Sequence, residues 1–210
     1  MVRLNLDEQE QISKLKYFWR DYGKYVIGFL LVVIIAYSSS ELLTYRYKVN
    51  AQKAAVIYST FTDAVSANDI KNVYLTIDQL QREYPKTEYT TFATMWAAKI
   101  AFNNHDLIKS SDYLKWLISN TRDKSMVEIA KLRLADIYID QKNTKDALSL
   151  MMDKTTPEFQ ALFYAKRGDI YLVLNNKLKA IDAYKAALDS SSGNQELAQA
   201  LQMKLDVLGN

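Results

Sequence analysis

The plainest feature along the chain is one long apolar run. Tyr25 to Ser40 contains no charged residue, and Val26 to Ala36 is almost wholly aliphatic. Gly23 to Leu43 makes 21 residues, which as a helix span roughly 31 Å and match a bilayer core. Lys24 and Glu41 sit at the ends of that window, where a lysine can reach the headgroups. Tyr17, Phe18, Trp19, Tyr22 and Tyr25 precede the run; Tyr37, Tyr45 and Tyr47 follow it. Aromatic belts of this kind suit a helix that crosses two water–lipid interfaces. Two other readings compete. One is a buried core helix of a soluble protein. The other is a cleaved leader, for which Ala36-Tyr37-Ser38 offers small residues at a cleavable spacing. Against cleavage, the segment before the run is long, of mixed charge and itself helical in pattern.

Upstream, Asn5 and Glu8 have capping-box spacing, and Asp7, Glu8 and Glu10 crowd a first turn where the helix dipole favours acid. Ile12, Leu15 and Trp19 fall on one face, with Phe18 and Tyr22 beside them. The arm reads as an interfacial helix leading into the membrane, or as a docking contact. Lys14, Lys16, Arg20 and Lys24 outnumber Arg46, Lys48 and Lys53 around the run. That slight bias predicts a cytoplasmic N-terminus. The chain then divides into a cytoplasmic arm (1–22), a transmembrane helix (23–43) that sits in the lipid bilayer, and a domain on the far side (44–210).

Past the run, the pattern changes to amphipathic helices with a period near 33 residues. Ala135-Asp136-Ile137-Tyr138 matches Gly168-Asp169-Ile170-Tyr171, and Ala147 and Ala180 follow at equal distance. Lys142-Asn143-Thr144 and Asn175-Asn176-Lys177 fill the turns. Counted from Ala161, the last unit has Tyr164, Gly168, Tyr171, Ala180, Tyr184 and Ala187. These resemble the tetratricopeptide repeat at its alternating large and small positions. Small residues let two helices cross closely, and aromatics fill the space beside them. Earlier units are degenerate. Glu128 to Gln160 keeps Ala135, Tyr138, Ala147 and Met151 but has Lys154 where a small residue is expected. Thr91 to about Lys124 has Ala98, Leu114 and Leu117, and Ala54 to Lys86 ends in Tyr84-Pro85. Gln195 to Leu208, with Leu197, Leu201, Leu205 and Leu208, reads as a capping helix. The predicted fold class is all-α: a single N-terminal transmembrane helix followed by a tetratricopeptide-like α-solenoid. A generic antiparallel helical array with a chance period would be all-α as well.

Composition narrows the function. With 49% hydrophobic residues in 210, a sizeable core can form, and 2 Pro and 5 Gly leave helices uninterrupted. A net charge of +3 gives no reason to expect nucleic acid. The absence of cysteine excludes disulfides, thiol nucleophiles, zinc thiolates and a bacterial lipid anchor. The one histidine, His105, falls in a turn, Asn103 to Asp106, and reads as solvated. No second imidazole or spaced carboxylate cluster points to a metal, and no nucleophile elbow or phosphate loop is present. Ser190-Ser191-Ser192-Gly193 reads as a flexible turn. No catalytic residue and no cofactor is expected.

What remains is a surface. In tetratricopeptide arrays the first helix of each pair lines a concave groove. That register selects Phe92, Met95, Lys99 and Phe102; Ile129, Leu132, Asp136 and Ile139; and Leu162, Asp169, Leu172 and Val173. The mixture suits an apolar partner segment. The competing reading makes many of them core contacts between repeats.

The chain also resembles the bacterial YfgM-like family, the ancillary subunits of the SecYEG translocon. The resemblance rests on the arm from Asp7-Glu8-Gln9-Glu10 to Lys14-Leu15-Lys16-Tyr17-Phe18-Trp19, and on Tyr22-Gly23-Lys24 entering the span. It continues through Leu132-Arg133-Leu134-Ala135 and Arg167-Gly168-Asp169 to the terminal Leu201-Gln202-Met203-Lys204-Leu205. It implies a single-pass inner-membrane protein with a periplasmic repeat domain and no catalytic residues. It implies association with the SecYEG translocon and the periplasmic chaperone PpiD, and a role in passing unfolded secreted clients to chaperones. A regulatory role for the cytoplasmic arm is also known in the family.

Overall fold

The computed structural model describes residues 6–191 and 193–209, with side chains from Glu10 onward. Asn5 and Ser192 therefore lie outside the described residues, and so do the side chains of Asp7 and Glu8, which leaves the Asn5–Glu8 capping box and part of the Ser190–Gly193 turn undescribed. Among the described residues there are nine helices and no strand: α1 Leu6–Ser66, α2 Ile70–Glu83, α3 Glu88–Asn103, α4 Leu107–Asn120, α5 Lys124–Asp140, α6 Thr144–Met151, α7 Pro157–Val173, α8 Lys177–Asp189 and α9 Gln195–Gly209. Two compact units divide the chain, 1–50 and 51–210.

In the first unit, α1 runs without a break across positions 22–23 and 43–44. It is long and apolar enough to cross a membrane. Ile27, Phe29, Leu31, Val33 and Ile35 are all exposed, whereas a core helix would bury such a face. Within the span, Ser39 Oγ donates to the Ile35 carbonyl at 2.7 Å. That satisfies a hydroxyl inside the helix itself, as hydrocarbon surroundings require. Ahead of the span, the Trp19 ring lies over Gly23. A Cβ on Gly23 would sit 2.9 Å from Trp19 Cε3. Phe18 and Tyr22 rings are 5.5 Å apart on the same stretch.

The second unit is built of helix pairs. The last turns of α1 share a buried cluster with α2, α3 pairs with α4, α5 with α6 and α7 with α8, and α9 packs on α8 to close the series. One turn design joins each pair. Asn68, His105, Lys142 and Asn175 take positive φ, from 53° to 60°. In each turn the next amide reaches back five residues, as in Asp106 N–H to Ala101 O and Asn176 N–H to Tyr171 O. That closes the last helical turn as a Schellman motif. The residue after it (Asp69, Asp106, Asn143 or Asn176) caps the following helix by accepting from a backbone amide three residues on. His105 is thus a turn residue on the surface, as its sequence context indicates.

Those turns stand 37, 37 and 33 residues apart. The period near 33 therefore belongs to the last step alone; the earlier steps are longer by four residues, about one helical turn. The difference arises in α6, which has 8 residues where α4 has 14. Because α6 ends at Met151, Lys154 falls in the following loop rather than at a helix crossing. A small residue is not needed there, and the lysine is exposed.

The core follows the repeat. Phe61, Ile77, Leu80, Leu114, Leu117 and Ile137 belong to one buried cluster. Ala147, Met151, Phe163 and Ile170 form a second. Tyr184 and Leu201 anchor a third, on which Leu197, Leu205 and Leu208 of α9 rest. Ala98, Ala135 and Gly168 are buried at matching places in α3, α5 and α7. A buried threonine seam joins α2 to α3: Thr90 Oγ1 donates to the Tyr84 carbonyl at 2.7 Å, and Gln81 Nε2 donates to Thr94 Oγ1 at 3.2 Å.

Candidate partner-binding face

The first helices of successive pairs are tied together by ions. Lys166 Nζ of α7 donates to Asp136 Oδ1 of α5 at 2.5 Å. Lys204 of α9 makes the same kind of contact with Asp169 of α7. Asp136 and Asp169 stand 33 residues apart, so each repeat uses its acid to hold a lysine of the next first helix. Asp169 also accepts from the Tyr184 hydroxyl at 2.7 Å. Burial pushes the Tyr184 phenol up from its ordinary value, and the hydrogen bond and charge of Asp169 push it further the same way. It stays a neutral donor. Lys99 occupies the matching position in α3. It has no carboxylate within ion-pair distance among the described residues. Its Nζ stands 5.8 Å from the Trp96 ring centre instead.

The twelve sequence-selected residues separate into groups. Phe92, Lys99, Phe102, Leu162, Leu172 and Val173 are exposed. Met95 is only 8% exposed and belongs to the first core cluster. It is a core residue, because the helix turn that presents Phe92 and Trp96 outward turns Met95 inward. Ile129 is half-buried against the same cluster, and Leu132 and Ile139 against the second. Asp136 and Asp169 brace neighbouring helices.

Sequence reasoning missed Tyr89 and Trp96. Both are exposed on α3 and, with Phe92, recur at helical spacing along one side. Trp96 is 50% exposed, more than Phe92 at 42%. The Tyr89 ring stands 5.4 Å from Tyr58, which lies in the last turns of α1 and stacks on Phe61. The 89/92/96/99 spacing is visible in the sequence, although the fixed repeat positions do not include Tyr89 and Trp96.

Beside this stripe, α3, α4 and α5 enclose a cavity of about 310 Å³. Its wall is apolar, with Ala98, Leu114 and Ile137; Lys99, Phe102 and Arg133 line its mouth. Asp136 also borders it, with its charge taken up by Lys166. Among the described residues no cluster of His, Cys, Asp or Glu could hold a metal ion.

Paired helices with recurrent turns, small residues at the crossings and a terminal cap define a helical-repeat protein of the tetratricopeptide kind. The tetratricopeptide repeat-like domain family model matches residues 16–210, and the chain belongs to that family. It is 26% identical to a protein of Neisseria gonorrhoeae, over 97% of this chain and 98% of the relative. It is 27% identical to one of Haemophilus influenzae with the same coverage, and 23% identical to one of Escherichia coli K12 over 96% and 97%. All three relatives are named ancillary SecYEG translocon subunit. The resemblance seen in the arm, span, repeat core and terminal helix is borne out nearly end to end. Together with one span-length apolar helix, it supports a single-pass inner-membrane protein. Repeat fold and relatives both point to an adaptor rather than an enzyme.

Proposed function

We propose that this chain is a non-catalytic, membrane-anchored adaptor of the SecYEG translocon. Residues 1–22 form a cytoplasmic arm, 23–43 the span, and 44–210 a periplasmic repeat domain that receives partner segments and helps pass secreted proteins to chaperones such as PpiD. The observation that carries this reading is the end-to-end similarity to ancillary SecYEG translocon subunits, span and repeats together. Orientation rests on the bias of Lys14, Lys16, Arg20 and Lys24 toward the N-terminal side. The mechanism is physical. The anchor confines the repeat domain to the membrane surface and so raises its effective concentration near the translocon exit. Phe92, Phe102, Leu162, Leu172 and Val173, with Tyr89 and Trp96, supply the apolar contacts.

Affinity capture of the full-length protein from detergent-solubilised membranes tests this. Translocon subunits should be recovered together with a periplasmic chaperone. Photo-crosslinkers at Phe92, Trp96 and Leu172 should label the chaperone or secreted chains, and at Leu31 a membrane partner. Recovery of no translocon subunit would sink the proposal.

A further inference from the structure

The cavity between α3, α4 and α5 combines two features that no core needs. Its wall of Ala98, Leu114 and Ile137 has room for a side chain of leucine size. Its mouth carries two cations, Lys99 and Arg133. Neither has a carboxylate partner among the described residues. The later repeats treat the matching position differently: Asp136 and Asp169 stand there, and each holds a lysine of the next first helix. The bracing charge is therefore supplied from within the protein at two steps and is missing at the α3 step. Asp136 borders the cavity too, but Lys166 takes up its charge. With Asp136 paired to Lys166, Lys99 and Arg133 leave the mouth with an excess of positive charge. Arginine favours planar, two-pronged recognition of a carboxylate, and lysine adds a point charge.

We infer that this cavity receives an apolar side chain of an extended partner segment whose adjoining residue is acidic, the acid lying between Lys99 and Arg133. The inference rests on the adaptor reading above and names what its inner face selects. Phe102 lines the entry and the exposed Trp96 ring stands beside Lys99, so the segment runs along the aromatic stripe of α3. One charge-assisted hydrogen bond at a partly desolvated mouth is enough for about a tenfold preference.

Fluorescence anisotropy on the full-length protein in detergent tests this with short labelled peptides. One carries a Leu-Asp step, a second Leu-Asn, a third Gly-Asp and a fourth Leu-Lys, otherwise identical. The Leu-Asp peptide should bind about tenfold tighter than Leu-Asn and Gly-Asp. The Lys99→Glu/Arg133→Glu protein should lose that preference and favour Leu-Lys. A Lys99→Gln/Arg133→Gln protein, with circular dichroism confirming the fold, should bind Leu-Asp and Leu-Asn alike. Equal binding of Leu-Asp and Leu-Asn to the unaltered protein overturns the inference, and so does failure of all four to bind. Capture of translocon subunits by the same preparation reads the adaptor proposal separately.

Discussion

Gly168 is a glycine because of Tyr184. A Cβ built on Gly168 would stand 2.4 Å from Tyr184 Cε1 and 2.5 Å from Cδ1, far inside contact distance. The tyrosine is fully buried, its ring fills the crossing of α7 and α8, and its hydroxyl is fixed by Asp169. The ring therefore cannot yield without losing both packing and a hydrogen bond.

Gly168→Ala should accordingly destabilise the repeat domain by about 1–3 kcal/mol through overpacking. Alanine would otherwise gain helix propensity at an interior position, so a loss singles out the clash. Tyr184→Phe should cost about 1 kcal/mol, the net value of one hydrogen bond. Chemical denaturation of the full-length protein in detergent, followed by circular dichroism, measures both. A Gly168→Ala protein as stable as the parent would refute the close approach.

The recurrent turns give a second test. Lys142 pays for a left-handed conformation that an ordinary side chain resists, while Asn175 is a residue type that tolerates it. Lys142→Gly should stabilise by about 0.5–1 kcal/mol. Asn175→Gly should change stability much less. Thermal unfolding of the two variants side by side decides it, and a larger gain at Asn175 would contradict the argument.

Glu128 is buried near the start of α5, and its Oε2 has no hydrogen-bond partner among the described residues; nor has Thr155 Oγ1 in the α6–α7 loop. An unpartnered buried carboxylate oxygen is costly. Glu128→Gln keeps the shape and removes the charge, and should stabilise by about 1 kcal/mol. A melting temperature below that of the parent would mean that Glu128 is paired in solution.

Alkaline pH should weaken the fold through its buried phenols. Burial raises Tyr113 above the ordinary phenol value of 10.0, with Asp78, Tyr74 and Asp106 adding to it. Tyr184 is raised by burial and then by Asp169. Below about pH 10 this contribution is fully present. Above it the unfolded chain releases phenolic protons that the native state keeps, so stability falls with rising pH. Denaturation midpoints across this range should slope downward, and the slope should flatten in Tyr184→Phe. An unchanged slope in that variant would refute the assignment.

The amino-acid sequence determined the span, because length and apolar composition alone meet the demands of a bilayer. It also determined the helix pairs, because caps such as Asp106 and Asn176 and the small residues Ala135 and Gly168 act over a few positions. Tertiary structure decided which residues of the first helices face outward. Each such helix touches its own partner and its neighbours, so helical periodicity alone does not separate a buried Met95 from an exposed Trp96 one residue on. It decided where the helices end too: α6 stops at Met151 after 8 residues where α4 has 14. It turned Asp136 and Asp169 from groove candidates into braces, because their lysines lie 30 and 35 residues away and meet them only once the helices stack.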